Sequence, residues 1–244
     1  MSVAPVPAGP ALVEDPPLPL MEHLLELRRR LIVSLLLVAC GAAVSFYYSG
    51  VLLSWLARPV GGLVFISPME AFHTRMKLAL YGGFFLSLPL LLHQVWLFTA
   101  RALEPRWRRG LLMMAPLSYV LFMGGAAFCL TAVVPAAMRF LLSFGSEGVK
   151  PLMSLGAYVS FVTTLTLAFG AIFQFPLVLY LLDWMGILKK SQLTPRRRLV
   201  YLATFIVPAF FTPDVVGQIS LALCMIALFE LSLLAMAARG RAAR

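Results

Sequence analysis

The segment His23-Leu24-Leu25-Glu26-Leu27-Arg28-Arg29-Arg30 puts a carboxylate among three guanidinium groups, directly before an apolar run from Leu31 to Tyr47. A carboxylate at that boundary can do two things. With Arg30 at i+4 and Glu22 one turn earlier it supports a helix, worth about 0.2–0.5 kcal/mol per pair. It can also receive an external guanidinium through short, bidentate, charge-assisted bonds. The spacing leaves both open. Glu230 is the sharper case, because it lies between Phe229 and Leu231 well inside an apolar run. A carboxylate in hydrocarbon is costly and marks a functional position by default. The alternative is that it snorkels to the nearby interface or pairs with Arg239.

Gln174, in Phe173-Gln174-Phe175-Pro176, stands two residues before a proline that cannot donate to the carbonyl of Ile172, so a kink is expected there. The amide can satisfy that carbonyl, bond to a neighbouring helix, or give a groove a polar patch. Asp214 and Gln218 sit one turn apart, after Pro213, and read as a helix cap or as a contact for a partner helix. Ser67-Pro68-Met69-Glu70 has the spacing of a capping box with proline in the first turn. Ser67, Pro68 and Glu70 are therefore structural candidates, with a ligand role as the alternative for Glu70. His23, His73 and His93 lack metal-ligand spacing. Cys40, Cys129 and Cys224 fall in three different apolar runs and read as small buried hydrophobes. No Ser-His-Asp arrangement, Walker loop or GxGxxG is present, so neither an enzyme nor a cofactor or metal site is expected.

The elements that must position these residues are membrane helices. Of 244 residues, 61% are hydrophobic and only 12% charged, with mean hydropathy +0.92. A soluble domain has about 25% charged residues, whereas a spanning helix needs about 20 mostly apolar ones. The alternating pattern of a membrane β-barrel is absent. The expected fold is all-α, a polytopic bundle of six transmembrane helices over roughly 31–49, 71–97, 111–134, 155–182, 199–212 and 216–238. The fifth run has about 14 residues, near 21 Å, too short for a core of about 30 Å. It should form a short hairpin with the sixth through a turn at Thr212-Pro213-Asp214 and thin the bilayer locally.

The net charge of +10 is topological and does not mark a nucleic-acid site. Of 20 Lys and Arg, 15 fall at the N-terminus, in the second and fourth loops, or at the C-terminus. This bias puts both termini in the cytoplasm. The segments 50–68 and 135–154 are then periplasmic, and both are apolar enough to pack as a cap. Residues 1–20, Pro-rich and acidic, read as a disordered cytoplasmic tail without a cleavable signal. Residues 21–238 form the membrane domain, and 239–244 a basic cytoplasmic tail. No internal repeat is visible, which counts against an inverted-repeat transporter.

Six motifs in order carry a family resemblance. They begin with His23-Leu24-x-Glu26-Leu27-Arg28-x-Arg30-Leu31, then Ser67-Pro68-x-Glu70-Ala71-Phe72 followed by Lys77-Leu78-Ala79, then Gln94-Val95-Trp96-x-Phe98. Phe169-Gly170-x-x-Phe173-x-x-Pro176 with Trp184-Met185-Gly186, Pro213-Asp214-x-x-x-Gln218 and Leu228-Phe229-Glu230 follow. From about Met21 to Ala238 the chain resembles the TatC family, the multi-spanning receptor subunit of the twin-arginine protein translocase. The resemblance implies a six-helix, glove-like bundle in a bacterial cytoplasmic (inner) membrane. It implies recognition of twin-arginine signal peptides, with single-span TatA-like and TatB-like partners, the lipid bilayer around it and energy from the proton-motive force; a homo-oligomer is compatible with it. Glu26, Arg28, Phe98, Glu104 and Gln174 would serve signal-peptide binding, and Asp214, Gln218 and Glu230 partner-helix docking.

The chain departs from the family's pattern at the first cytoplasmic loop. Trp107 stands where the family usually has a glutamate, Arg101 where it commonly has proline, and Gln174 where it often has glutamate. Glu104, three residues before Trp107, is expected to replace the lost carboxylate; the alternative is a simple i,i+4 pair with Arg108. A membrane scaffold without signal recognition, and a small-solute transporter, are the competing functions.

Overall fold

Lipid offers backbone polar groups no partner, so apolar runs of spanning length fold as helices that satisfy themselves. The computed structural model describes residues 20–60, 62–101, 105–145, 152–188, 193–210 and 214–242. Its helices are α1 (Leu20–Tyr47), α2 (Ser49–Ala57), α3 (Pro68–Arg101), α4 (Pro105–Phe128), α5 (Val134–Leu142), α6 (Leu155–Ile172), α7 (Phe175–Trp184), α8 (Arg197–Ala209) and α9 (Val215–Ala242). Five stretches are long and apolar enough to cross a membrane: Met21–Tyr47, Pro68–Arg101, Met113–Leu142, Leu155–Trp184 and Val215–Ala237. The remaining expected span, the fifth in order, is α8, with 13 residues, about 20 Å long. It lies along α9 as the short hairpin the sequence implies. The turn itself, Thr212 and Pro213, lies outside the described residues, as does the expected tail over 1–19. The expected basic tail begins as helix, since α9 runs on to Ala242.

Two boundaries differ from expectation. The third span does not stop near residue 134. A widened turn at Cys129–Val133 leads straight into α5. Pro135 has no N–H for the Thr131 carbonyl, and the extra residue in the turn before it absorbs that mismatch without ending the helix. The fourth span is broken rather than bent. Helix α6 ends at Ile172 and α7 restarts at Phe175, with Pro176 in its first turn, where a missing N–H costs nothing.

At the end away from the arginine clusters, the loops before α3 and before α6 form the expected cap. Val64 N–H donates to Met153 O at 3.1 Å, and Leu155 N–H donates to Val64 O at 2.9 Å. Glu70 ties the cap together. Its Oε2 accepts from Ile66 N–H at 2.8 Å, and its Oε1 accepts from Gly156 N–H at 2.8 Å and from the Ser154 hydroxyl. Ser67 Oγ accepts weakly from Met69 N–H at 3.3 Å. The helix start is thus capped, but not by the reciprocal box: Ser67 Oγ meets Met69 N–H instead of Glu70 N–H, while Glu70 reaches back to Ile66 N–H and also staples the start of α6, 86 residues on. Glu70→Gln removes the charge that serves all three donors. A melting temperature in detergent several degrees below that of the parent is expected, and an unchanged one would mean the cap holds without the carboxylate.

Without a hydrophobic drive between helices in lipid, close packing of small residues decides which spans touch. Helices α1 and α3 make the most extensive pairing, through Gly41 and Gly83. A Cβ on Gly41 would stand 2.7 Å from Gly83 O. Beside them Ser87 Oγ donates to Leu37 O at 2.8 Å. Positions on α3 rise as those on α1 fall, so the pair is antiparallel. The largest buried cluster joins the widened turn, α5 and α6 around Phe169, Val159 and Val134, with Leu56 of α2, Leu78 of α3 and Leu221 of α9 packed in. A second, around Trp96, Leu111 and Leu181, holds α3, α4 and α7 together at the arginine-bearing end.

Candidate functional site

Antiparallel packing of α1 on α3 brings two helix faces together at the basic end. His23, Glu26 and Arg30 are spaced i, i+3, i+7 on α1, and Gln94, Phe98 and Arg101 are spaced i, i+4, i+7 on α3; each set shares one face. Glu26 Oε1 accepts from Arg30 Nε at 2.8 Å and from Arg30 Nη2 at 2.5 Å. Arg101 Nη1 lies 3.1 Å from the same oxygen. Arg30 Nη1 donates to Gln94 Oε1 at 2.7 Å. The His23 and Phe98 rings stack with centroids 4.4 Å apart. Glu26 and Arg30 are nearly buried, at 11% side-chain exposure each, while Arg101 is 55% exposed. Among the described residues Glu26 Oε2 has no hydrogen-bond partner. The site is therefore a carboxylate shielded from water, already coordinating two guanidinium groups through one oxygen and offering the other.

Of the residues expected at this end, the structure brings Glu26 and Phe98 together. Arg28 is exposed on α1 and stays outside the cluster. Glu104 lies outside the described residues. Arg30, Gln94 and Arg101 belong to the cluster without having been singled out as site residues. The i,i+4 spacing announced Arg30, but the reach to Gln94 and Arg101 depends on helix register.

Gln174 does not join the cluster. At the break between α6 and α7 its Oε1 accepts from Ser118 Oγ at 2.5 Å, and its Nε2 donates to Ser118 O at 3.0 Å. Of its three possible roles, the bond to a neighbouring helix is the one observed. A concave cavity of about 750 Å³ opens elsewhere, between α1, α2, α3, α4 and α6, lined by Val44, Ser45, Trp55, Tyr81, Phe85 and Thr166 among others. Gln174 is not on its wall.

The three residues expected at a partner edge are engaged within the α8–α9 hairpin. Glu230 Oε1 accepts from the Tyr201 hydroxyl at 2.5 Å, and Oε2 lies 3.5 Å from Arg197 Nη2. Helix α8 presents Arg197 and Tyr201 to the Glu230 face; the side chain of Arg239, the partner the sequence offered, lies outside the described residues. Asp214 caps α9, its Oδ2 accepting from Gly217 N–H at 2.5 Å. Gln218 Nε2 donates to Phe205 O at 3.3 Å, tying α9 back to α8. Among the described residues no three His, Cys, Asp or Glu side chains converge as a metal site.

This geometry has relatives. The model of the TatC family, described as Sec-independent protein translocase protein, matches residues 22–223. The Sec-independent protein translocase protein TatC of Carboxydothermus hydrogenoformans is 36% identical over 227 residues, which is 91% of this chain and 93% of the relative. Its counterpart from Aquifex aeolicus is 34% identical over 224 residues, 88% of this chain and 93% of the relative. A crystal structure of the twin-arginine translocase receptor TatC in DDM matches with a TM-score of 0.77 at 33% identity, over 88% of this chain and 99% of that one. With sequence, fold and helix order in agreement over most of its length, the chain belongs to the TatC family of Sec-independent protein translocase proteins.

Proposed function

We propose that this protein is the receptor subunit of a twin-arginine translocase in a bacterial cytoplasmic membrane, with both termini in the cytoplasm. Its basic end receives the arginine pair of a signal peptide, and the bundle nucleates assembly with TatA-like and TatB-like single-span subunits for export driven by the proton-motive force. One observation carries the recognition step: the Glu26 carboxylate is nearly buried, with one oxygen free of any partner among the described residues, at a face otherwise dominated by cations. A guanidinium binds such a group bidentately, and a lysine ammonium does not. Phe98 stacked on His23 gives the site a flat apolar wall, and Glu104 supplies the second carboxylate for the arginine pair. The apolar part of the signal follows the groove between the spans.

Asp214, Gln218 and Glu230 then act at the partner edge indirectly, by fixing the α8–α9 hairpin. The surface offered is the outward face of α8, where Leu199, Leu202, Phe205 and Ile206 are 47–66% exposed. At about 20 Å this helix leaves the bilayer thinned beside it.

The decisive experiment is photo-crosslinking of a signal peptide to the full chain in membrane vesicles, comparing Arg-Arg with Lys-Lys. The Arg-Arg peptide is expected to crosslink about tenfold more efficiently or better. Equal crosslinking of the two would favour a scaffold without signal recognition. The apolar walls of the cavity argue against a solute pathway.

A further inference from the structure

We propose that Arg101 is a built-in competitor: its guanidinium holds Glu26 in the free protein and swings away when a ligand arginine arrives, so that Arg101 sets the affinity of the site. The proposal rests on the reading of the basic end as an arginine-pair receptor. Two guanidinium groups touch Glu26 Oε1, and they are not equivalent. Arg30 gives Glu26 two bonds and Gln94 a third, and is 11% exposed. It is part of the scaffold. Arg101 makes a single contact at 3.1 Å and is 55% exposed. Among the described residues that contact is its only polar partner, so among them releasing it breaks no other bond.

Arg101 is also the last residue of α3. A cation there is favoured by the helix C-terminus whether or not it touches Glu26, so the released side chain keeps a resting place. The contact is therefore chemically the same as the one a signal arginine would make, but tethered, solvent-exposed and weak. Exposed ion pairs of this kind are displaced at little cost. Glu26 stays charge-compensated and hydrogen-bonded in the empty receptor, and any ligand that cannot outbid one tethered guanidinium is refused.

The test is a binding series on the full chain in nanodiscs with a fluorescent Arg-Arg signal peptide. Arg101→Gln is expected to tighten binding about three- to fivefold. Arg101→Lys should fall between Gln and the parent, because an ammonium competes less well for a carboxylate than a guanidinium fork. Arg29→Gln, an exposed neighbour on α1 outside the cluster, reports the general effect of removing one positive charge and should change binding less. In a Glu26→Gln background the gain from Arg101→Gln should vanish, which is the double-mutant signature of a direct contact. If Arg101→Gln does no more than Arg29→Gln, or gains as much without Glu26, the competitor role is overturned. If the parent does not prefer Arg-Arg over Lys-Lys at all, the receptor reading falls first and this role with it. A parent that prefers Arg-Arg through Glu26 while Arg101→Gln is silent defeats the competitor role alone.

Discussion

Glu26→Gln is expected to weaken binding of an Arg-Arg signal peptide about 10- to 100-fold and that of a Lys-Lys peptide by a smaller factor, because an ammonium loses a point-charge contact where a guanidinium loses a bidentate one. The size follows from what the substitution leaves behind. The amide keeps the shape of the side chain but loses the charge that makes bonds to guanidinium short and strong. Arg30 remains 2.5 Å from where the carboxylate oxygen was, held there by Gln94, while the exposed Arg101 turns to solvent, so an incoming arginine meets a fixed, uncompensated cation in a partly buried site. Repulsion thus adds to the lost attraction. The fold should survive, because Arg30 retains Gln94 at 2.7 Å and the α1–α3 contact is made by glycines further up the helices. A thermal melt in detergent close to the parent's, together with the loss of Arg-Arg preference, is the expected pair of results. Retained preference would remove Glu26 from recognition and shift the weight to Glu104, for which Glu104→Gln is then the informative variant.

What the sequence could say about this site was set by distance along the chain. The Glu26–Arg30 pair was legible, because four residues on a helix fix a neighbour. The partners Gln94 and Arg101 were not, because they join through the register of α1 against α3, and that register is set by backbone contact at Gly41 and Gly83. Arg101 read only as a departure from the family's proline, and its position 3.1 Å from Glu26 gives that cation a definite partner. Of the two readings of Glu26, the helix-supporting pair is the one observed, and under the proposed recognition that same pair preorganises the carboxylate.

Elsewhere the same logic applies. Spans were legible from hydropathy, since a run of apolar residues is a local property of the chain. The continuation through Pro135 was not, because proline punctuates a sequence alike whether it ends a helix or sits just after a widened turn. Serine and tyrosine partners gave no signal at all. Ser118 under Gln174 and Tyr201 under Glu230 are common residue types in apolar runs, and only packing assigns them. The polar groups expected to face a partner helix were spent inside the α8–α9 hairpin, as costly groups in lipid must be wherever a neighbour can satisfy them.

Gly83→Val carries the largest expected structural effect. A Cβ at Gly83 would stand 2.6 Å from Ala42 Cα and 2.7 Å from Gly41 C, and closer still to Ala42 N. These are backbone atoms, and no rotamer change moves them. The helices must separate by nearly the difference between that spacing and ordinary contact, about 1 Å, along the most extensive interface in the bundle. Overpacking of this kind costs about 1–3 kcal/mol where side chains can adjust, and valine against backbone should lie at or beyond the upper end. The damage should also travel. Glu26 and Arg101 sit on the same two helices nearer the basic end, so parting α1 from α3 loosens their contact and the His23–Phe98 stack. A lower melting temperature in detergent and a loss of Arg-Arg peptide preference should therefore appear together, although Gly83 touches no ligand. Gly124→Ala supplies the control: it lies in α4 with nothing within 4 Å of the new methyl group, and alanine favours the helix, so neither readout should fall. Should Gly83→Val melt with the parent while Gly124→Ala does not, the account of α1–α3 packing and of the register it imposes on the site would be wrong.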